Sequence, residues 1–289
     1  MSRIAYVNGR YVPHSEASVH VEDRGFQFAD GVYEVVAVYK GQLIDEAGHL
    51  DRLERSLSEL QIAMPMARAA LSQVLRRMVR LNLVRDGLVY FQVTRGVAAR
   101  DFPFPYAAMP TIVVTARSKS FPGRDVKPVA VITTRDQRWA RRDIKTVGLL
   151  PAALAKQKAR EAKAFEAWQV DEDGYVTEGA SSNAWIVTKD NVIVTRQADH
   201  NILRGITRMA LLEFARENGF RFEERPFTVE EAQNAREAFI SSASTFVMPV
   251  WKIDHVAISN GEMGPVAQTL RNAYFDAMEK LADQAKQGR

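Results

Sequence analysis

The stretch VYEVVAVYKG, residues 32–41, sets the fold class of the first part of the chain. Its first eight residues are mostly β-branched or aromatic, which predicts a strand that turns at Lys40-Gly41. The apolar alternation along it is incomplete, so we expect the strand to be covered on both faces. A second hairpin is predicted upstream, where Asn8-Gly9 joins two short apolar runs, because both turn residues tolerate positive φ.

Helical and extended patterns alternate around this strand. Residues 49–60 and 67–81 have apolar side chains at helical spacing, whereas residues 88–94 and 111–116 read as strands. Mixed patterns of this kind predict an α/β, or α+β, architecture.

The chain is predicted to contain two domains. The stretch SKSFPGRD, residues 118–125, is rich in turn residues and has no apolar period, which is typical of a domain link. We therefore predict an N-terminal domain of residues 1–118, a linker of residues 119–125 and a C-terminal domain of residues 126–289. In the last of these, a helix from about Ile206 is expected to stop at Gly219.

Composition excludes several classes of protein. The 289 residues are 46% hydrophobic and 26% charged, enough for two modest cores. There is no apolar run of about 18 residues, so no membrane span is predicted, and the first residues do not resemble a secretory signal. With no cysteine and no metal-ligand spacing among five histidines, we expect no metal and a cytoplasmic location. The net charge of +4 is scattered among acids, which favours an anionic small molecule over nucleic acid.

A lysine follows a run of arginines in QRWARRDIKTVGLL, residues 137–150. Lys145 is either one more solvated cation, or an amine that neighbouring positive charge keeps neutral and nucleophilic. The pattern alone allows both interpretations.

A second candidate is the carboxylate in VTEGASSNAW, residues 176–185. This stretch is either a tight turn between two strands, or a site in which Glu178 faces a flat ligand that approaches the backbone of the small residues.

The start of the helix after Gly205 is a candidate anion site. Backbone N–H groups of Ile206 and Thr207 would point outward at its positive end, although many helices begin this way without a ligand. The hydroxyls of residues 241–245 and the guanidinium of Arg52 could add further phosphate donors.

Arg100 lies in a loop stiffened by two prolines and a glycine, TRGVAARDFPFP, residues 94–105. Its guanidinium is either solvated or clamps a carboxylate in a bidentate manner.

Six motifs occur in one order along nearly the whole chain: DRGFQFADGVYEVV (23–36), HLDRL (49–53), FQVTRG (91–96), RWARRDIK (138–145), VTEGASSNAW (176–185) and ILRGITR (202–208). Together they resemble the fold-type IV pyridoxal-phosphate aminotransferases, and most closely the D-amino-acid aminotransferases. Each motif alone is modest, but their order makes the resemblance specific. It implies a two-domain fold with pyridoxal 5'-phosphate as cofactor.

The resemblance also implies a role for each matching residue. Lys145 would carry the cofactor as an internal Schiff base and then move the substrate α-proton, while Glu178 would pair with the pyridine nitrogen. Leu203 would pack against the ring, and Tyr33 would line the substrate side. The phosphate would be held by the guanidinium of Arg52, the backbone N–H groups of Ile206 and Thr207, and the hydroxyl of Ser244 or Thr245.

The substrate loop departs from the family pattern. Arg100 matches the arginine that binds the substrate α-carboxylate, on a loop usually lent by the neighbouring subunit, so the resemblance implies a homodimer. The family's usual R-x-H is here Arg100-Asp101-Phe102. Losing the histidine donor would weaken carboxylate binding or admit bulkier, more apolar substrates.

The expected reaction is transamination from D-alanine or a similar D-amino acid to 2-oxoglutarate. Alternatives within the fold are a branched-chain L-amino-acid aminotransferase, an (R)-amine transaminase and a 4-amino-4-deoxychorismate lyase. A binding protein without turnover is a different class, and the intact Lys145 and Glu178 argue against it. A nucleic-acid binder would show salt-sensitive association with DNA or RNA, which we do not expect.

Overall fold

The structure is a computed structural model that describes residues 3–258 and 260–287. The chain folds into two compact units. Unit 1 comprises Met1–Phe121, Ile144–Gly148 and Lys280–Arg289, and unit 2 comprises Pro122–Asp143 and Leu149–Glu279. The ends of the two predicted domains, residues 1–2 and 288–289, lie outside the described residues.

The position of Lys145 differs from the sequence-based division, which assigned it to a C-terminal domain of residues 126–289. The segment 144–148 belongs to unit 1. The backbone N–H of Tyr33 donates to the Lys145 carbonyl at 3.0 Å, and the Ile144 side chain is buried in the core of unit 1. The hydrogen bond joins residues 112 positions apart, so no local pattern could reveal it.

Unit 1 is built on one antiparallel sheet with strand order β2-β1-β6-β5-β3-β4. Its elements are β1 (Ile4–Val7), β2 (Arg10–Pro13), α1 (Arg24–Phe28), β3 (Gly31–Tyr39), β4 (Gln42–Leu43), α2 (Glu46–Glu59), α3 (Arg68–Leu81), β5 (Gly87–Thr94) and β6 (Thr111–Ser118), with a short 3-10 turn at His14–Glu16. Both predicted hairpins are confirmed. Asn8, Gly9, Lys40 and Gly41 all have positive φ, as the tight turns require.

The core of unit 1 lies between this sheet and the apolar faces of α2 and α3. Leu50, Leu53 and Leu57 of α2 are buried in it together with Leu71 and Leu75 of α3. Their helical spacing is the pattern that predicted the two helices. The packing fixes α2 against β3, and this contact positions the polar residues of both elements.

Unit 2 contains a nine-stranded mixed sheet with order β12-β11-β10-β13-β14-β7-β8-β9, and β15 beside β14. Its strands are β7 (Val129–Arg135), β8 (Glu166–Val170), β9 (Val176–Gly179), β10 (Asn183–Val187), β11 (Val192–Thr195), β12 (Arg221–Glu224), β13 (Glu237–Ser242), β14 (Phe246–Ile253) and β15 (Val256–Ala257). Its helices are α4 (Leu150–Glu161), α5 (Ile206–Glu217), α6 (Val229–Gln233) and most of α7 (Pro265–Gln287), whose residues from Lys280 onward belong to unit 1. Three pairs, β11 with β12, β14 with β7 and β7 with β8, are parallel.

Local chemistry accounts for the ends of the helices in unit 2. The sequence Thr228-Val229-Glu230-Glu231 has the pattern of a capping box, which marks the start of a helix. The Thr228 side chain accepts a hydrogen bond from the N–H of Glu231 at 3.1 Å, and α6 begins there. Gly219, with φ of +71°, follows the end of α5. Helix α4 ends just before Lys163, which adopts a left-handed conformation. Among the described residues, no helix combines the length and apolarity needed to cross a bilayer.

Candidate active site

Lys145 lies beside strand β3, close to an aromatic side chain of that strand. Its Nζ donates to the hydroxyl of Tyr33 at 3.3 Å, and Nζ lies 4.3 Å from the centroid of the same ring. The Tyr33 ring packs in turn on Tyr90, with 5.7 Å between centroids. Burial raises the pKa of Tyr90 to about 12, so this second tyrosine stays neutral. Lys145 and Tyr33, the predicted catalytic amine and one of the predicted substrate-side residues, therefore lie together in unit 1.

The arginines that precede this lysine are occupied by carboxylates of unit 2. Arg138 Nη2 lies 2.7 Å from Asp136, and Arg142 Nε lies 3.1 Å from the same carboxylate. Arg141 Nε is bound to Asp143 at 3.0 Å. Their charge is largely offset by these acids, so the cationic run in the sequence is a set of ion pairs.

Glu178, at the end of β9, is a buried carboxylate held by three donors. The backbone N–H of Leu203 donates to Oε1 at 3.0 Å, Asn183 Nδ2 donates to Oε2 at 2.8 Å, and Arg138 Nη1 forms a short ion pair with Oε1. Hydrogen bonds and a nearby cation favour the ionised form of a carboxylate. The arrangement supplies a fixed anion that can keep a proton on a ligand nitrogen.

Glu178 is part of a buried network of charged residues that also contains Arg138 and Asp136. Burial alone would lower the pKa of Arg138, but the carboxylates of Glu178 and Asp136 outweigh it and raise that pKa. Burial would likewise raise the pKa of Asp136, yet its bonds to Arg138 lower it. Thr177 Oγ1 also donates to Asp136 at 2.9 Å. Arg138 lies in one of the six motifs, but the sequence does not show that it pairs with Glu178, because the two residues are 40 positions apart.

The loop before α5 is pinned to the same cluster. Asn183 Nδ2 donates to the Leu203 carbonyl at 3.0 Å, and a Cβ added at Gly205 would lie 2.0 Å from Asn183 Oδ1. Glycine is therefore required here by close approach. No side chain among the described residues caps the start of α5 at Ile206, so its first N–H groups can serve an anion. The Thr207 side chain is buried in that first turn.

Three hydroxyls gather in the turn between β13 and β14, which we call the hydroxyl turn, residues 242–246. Ser242 Oγ lies 2.8 Å from Thr245 Oγ1 and 3.4 Å from Ser244 Oγ. Strand pairing places Asn183 opposite Ser241, the residue before this turn. The start of α5 and the hydroxyl turn are thus tied to neighbouring positions of one sheet.

Arg52 is half of a buried ion pair within unit 1. Its Nε and Nη2 each donate to a separate oxygen of Glu34 at 2.7 Å, and His49 Nδ1 lies 2.7 Å from the same carboxylate. Burial would raise the pKa of Glu34, but Arg52 and then His49 lower it from 4.5 to about 2. Glu34 fixes the orientation of the Arg52 fork. Sequence reasoning missed Glu34 because its helical partners are 15 and 18 residues away.

The Arg100 loop is exposed and is held by aromatic and backbone contacts of unit 1. The Arg100 guanidinium lies 5.1 Å from the Phe28 ring, and Phe102, 77% exposed, packs on the same ring at 5.7 Å. Arg24 donates to the carbonyls of Asp101 at 2.6 Å and Phe102 at 3.3 Å. Arg24 therefore fixes the loop backbone, a role that its motif did not reveal.

The predicted site residues form two groups, one in each unit. Unit 1 holds Tyr33, Arg52, Arg100, Phe102 and Lys145, and unit 2 holds Glu178, Leu203, Ile206, Thr207, Ser244 and Thr245. The first group contains an amine and two guanidinium groups. The second contains a fixed carboxylate and several hydrogen-bond donors that could bind an anion.

Comparison with known proteins identifies the family. The family model for class IV amino-transferases matches residues 31–253. The chain is 41% identical over 280 residues to a D-alanine aminotransferase of Bacillus licheniformis, covering 96% of this chain and 98% of that protein. It is 38% identical over 276 residues to the one of Staphylococcus haemolyticus, covering 95% and 97%.

The fold is shared with solved structures. A branched-chain amino acid aminotransferase of T.th., solved with pyridoxamine 5'-phosphate, is 28% identical, with a TM-score of 0.89 over 96% of this chain and 94% of that one. The predicted fold class and the resemblance inferred from the six motifs are confirmed. The chain belongs to the class IV aminotransferase family.

Proposed function

We propose that this aminotransferase exchanges amino groups between D-amino acids and 2-oxo acids, with a D-alanine-like donor, 2-oxoglutarate as acceptor and pyridoxal 5'-phosphate as cofactor. The observation that carries the proposal is the full-length similarity to D-alanine aminotransferases, in a chain that retains Lys145, Glu178 and Arg100.

The residues present fit the cofactor. Pyridoxal phosphate needs an amine for its aldehyde, an anion for its pyridinium and several donors for its phosphate. Lys145 supplies the amine, and Glu178 is an anion already held by three donors. The hydroxyl turn and the open start of α5 supply phosphate donors without a competing carboxylate in either segment.

Each residue then has a defined task. The bound cofactor supplies an electron sink for the carbanion that remains when the substrate loses its α-proton. Lys145 would hold the cofactor aldehyde through its amine as a Schiff base, and the same amine, once released, would move the α-proton of the substrate. Glu178 would hold a proton on the pyridine nitrogen, because Asn183 and Arg138 fix its carboxylate in place and a nearby cation favours the ionised form of a carboxylate.

The phosphate is proposed to be held by the donors that the resemblance implies, namely Arg52, the N–H groups of Ile206 and Thr207, and the hydroxyl of Ser244 or Thr245. Two apolar or aromatic side chains complete the site. Leu203, whose backbone N–H donates to Glu178, would pack on the ring face of the cofactor. Tyr33 lines the substrate side, next to Lys145.

Arg100 is proposed to clamp the substrate α-carboxylate of the neighbouring subunit in a homodimer. Support comes from the apolar side chains that its loop exposes, among them Phe102, Phe104, Tyr106 and Met109. Exposed large apolar side chains concentrated in one loop are typical of a protein–protein interaction site. The cytoplasmic location expected from composition stays a prediction.

An (R)-amine transaminase is a second candidate, favoured by Phe102. The family's histidine donor is absent, and the phenylalanine ring packs on Phe28 beside Arg100. Because the site then has one hydrogen-bond donor fewer for a carboxylate, an amino acid gains less binding free energy from its carboxylate, and an amine without a carboxylate is at a smaller disadvantage.

Half-reactions distinguish these candidates. The enzyme loaded with pyridoxal phosphate is mixed separately with D-alanine, D-glutamate, L-leucine and (R)-1-phenylethylamine, and the loss of visible absorbance is followed. We expect rapid loss with the two D-amino acids and none with any substrate in Lys145→Ala. Reaction confined to L-leucine would refute the proposal, and reaction confined to the amine would establish the second candidate.

A further inference from the structure

Arg271 of helix α7 is a fully buried arginine whose hydrogen bonds within the described residues all go to backbone carbonyls. Its Nε donates to Gly123 at 2.9 Å and Arg124 at 3.1 Å, and Nη2 donates to Pro122 at 2.6 Å. Its Nη1 donates to the Thr245 carbonyl at 3.0 Å. A guanidinium has five N–H donors in a fixed fork, and this one uses every nitrogen to join two separate segments.

One of these segments is the hydroxyl turn. Besides the Thr245 carbonyl, Nη1 makes a short contact with the carbonyl of Val247. Arg271 therefore holds the backbone on both sides of Phe246. Thr245, whose carbonyl it binds, presents its hydroxyl to Ser242 at 2.8 Å.

The conformation of this turn needs external support. Phe246 has a φ of +59°, a left-handed conformation that bulky residues adopt only when the surroundings impose it. Its ring stacks on Tyr274 at 5.2 Å and meets Phe275 edge-on at 5.4 Å. Both aromatic residues follow Arg271 on α7 within four positions. One face of α7 thus holds the turn through a cation and two rings.

The charge of Arg271 is also suited to a nearby anion. No carboxylate in the described part of the chain forms an ion pair with it, and burial lowers its pKa to about 10. The group is still protonated at neutral pH. Its partners are carbonyl dipoles and the ring of Phe275, 5.2 Å away, and a buried cation without a paired anion is stabilised further when an anion binds close to it.

We propose that Arg271 is a positioning residue for the cofactor phosphate, which holds the hydroxyl turn in the conformation that presents Ser244 and Thr245 to that dianion. This inference rests on the proposed function, because it takes the hydroxyl turn as part of the phosphate site. Arg271 touches the turn backbone and acts on the phosphate through it.

Comparing two ligands that differ only in the phosphate tests the inference. Dissociation constants of pyridoxal phosphate and of pyridoxal are measured by absorbance for the wild type, Arg271→Met and Arg271→Lys. In Arg271→Met we expect the constant for pyridoxal phosphate to rise about tenfold, the size of one lost hydrogen bond to a charged group. The constant for pyridoxal should change less than about twofold. Arg271→Lys keeps the charge but not the fork, so its loss should be intermediate.

Arg225→Met is the control. Arg225 also donates to a backbone carbonyl, that of Pro226 at 3.0 Å, and to the Glu231 carboxylate at 2.6 Å, but none of its side-chain hydrogen bonds within the described residues reaches the hydroxyl turn. This variant should leave the affinities for both ligands unchanged.

The inference would be overturned if the Arg271 variants lost affinity equally for pyridoxal phosphate and pyridoxal, or lost affinity for neither. Arg271→Lys keeps the test decisive if Arg271→Met does not fold. A wild type that fails to bind pyridoxal phosphate at Lys145 would instead refute the proposed function, so the two failures are separable.

Discussion

Replacing Arg138 by methionine removes the cation shared by two buried carboxylates. The side chain of Asp136 is completely buried and that of Glu178 is 5% exposed. Removing one partner of a buried ion pair costs about 3–5 kcal/mol, because a buried charge is left uncompensated. Asp136 retains Arg142 and Thr177, and Glu178 retains Asn183 and the N–H of the residue at 203. We therefore expect the low end of this range, about 3 kcal/mol.

Urea unfolding at pH 7, followed by tryptophan fluorescence, measures this loss. The pKa of Asp136 is lowered in the folded protein chiefly through Arg138, against burial. The contribution of the Asp136 carboxylate to the free energy of unfolding is therefore present at neutral pH, and it is lost as the pH falls through the pKa of Asp136 in the folded protein. The difference between wild type and Arg138→Met should accordingly shrink in acid.

Arg135→Met is the control for this prediction. Arg135 also pairs with a glutamate, Glu172, but both side chains are more than 70% exposed, and surface pairs contribute about 0–1 kcal/mol. If Arg138→Met destabilises the protein no more than this control, the network behind Glu178 is not structural and the reasoning is refuted.

Two further substitutions test other parts of the site. Gly205→Ala would place a Cβ 2.0 Å from Asn183 Oδ1, so we expect the free energy of unfolding in urea to fall by about 1–3 kcal/mol and cofactor binding to weaken. The control is Gly123→Ala, where a Cβ would meet open space, and it should change the free energy of unfolding by less than about 0.5 kcal/mol. Equal effects of the two substitutions would contradict this prediction. In Glu34→Gln, the shift of the Glu34 pKa from 4.5 to about 2 predicts a loss of about 3 kcal/mol at pH 7. That stability is present above about pH 4.5 and is lost as the pH falls towards 2, so a loss that is unchanged at pH 3 would contradict it.

Local chemistry made much of the fold predictable from the sequence. Asn8-Gly9 and Lys40-Gly41 specify their turns by tolerance of positive φ, and the capping residue Thr228 marks the start of α6. Leucine spacing identified α2 and α3 because each buries one face. These signals depend on neighbours within about four residues.

The supporting contacts of the site could not be predicted in this way. The motifs contain Arg138 and Asn183, but their action on Glu178 depends on how β9, β10 and the loop before α5 meet in unit 2. Arg271 belongs to no motif, and its acceptors lie 24 to 149 residues away. Such roles follow from tertiary packing, which the spacing of residues does not encode.

Product chirality tests the central claim most directly. The enzyme, loaded with pyridoxal phosphate, is given D-alanine and 2-oxoglutarate, and the glutamate formed is separated by chiral chromatography. We expect D-glutamate in equal amount to pyruvate with the wild type, and no product with Lys145→Ala. Formation of L-glutamate, or unchanged D-glutamate formation in Lys145→Ala, would contradict it.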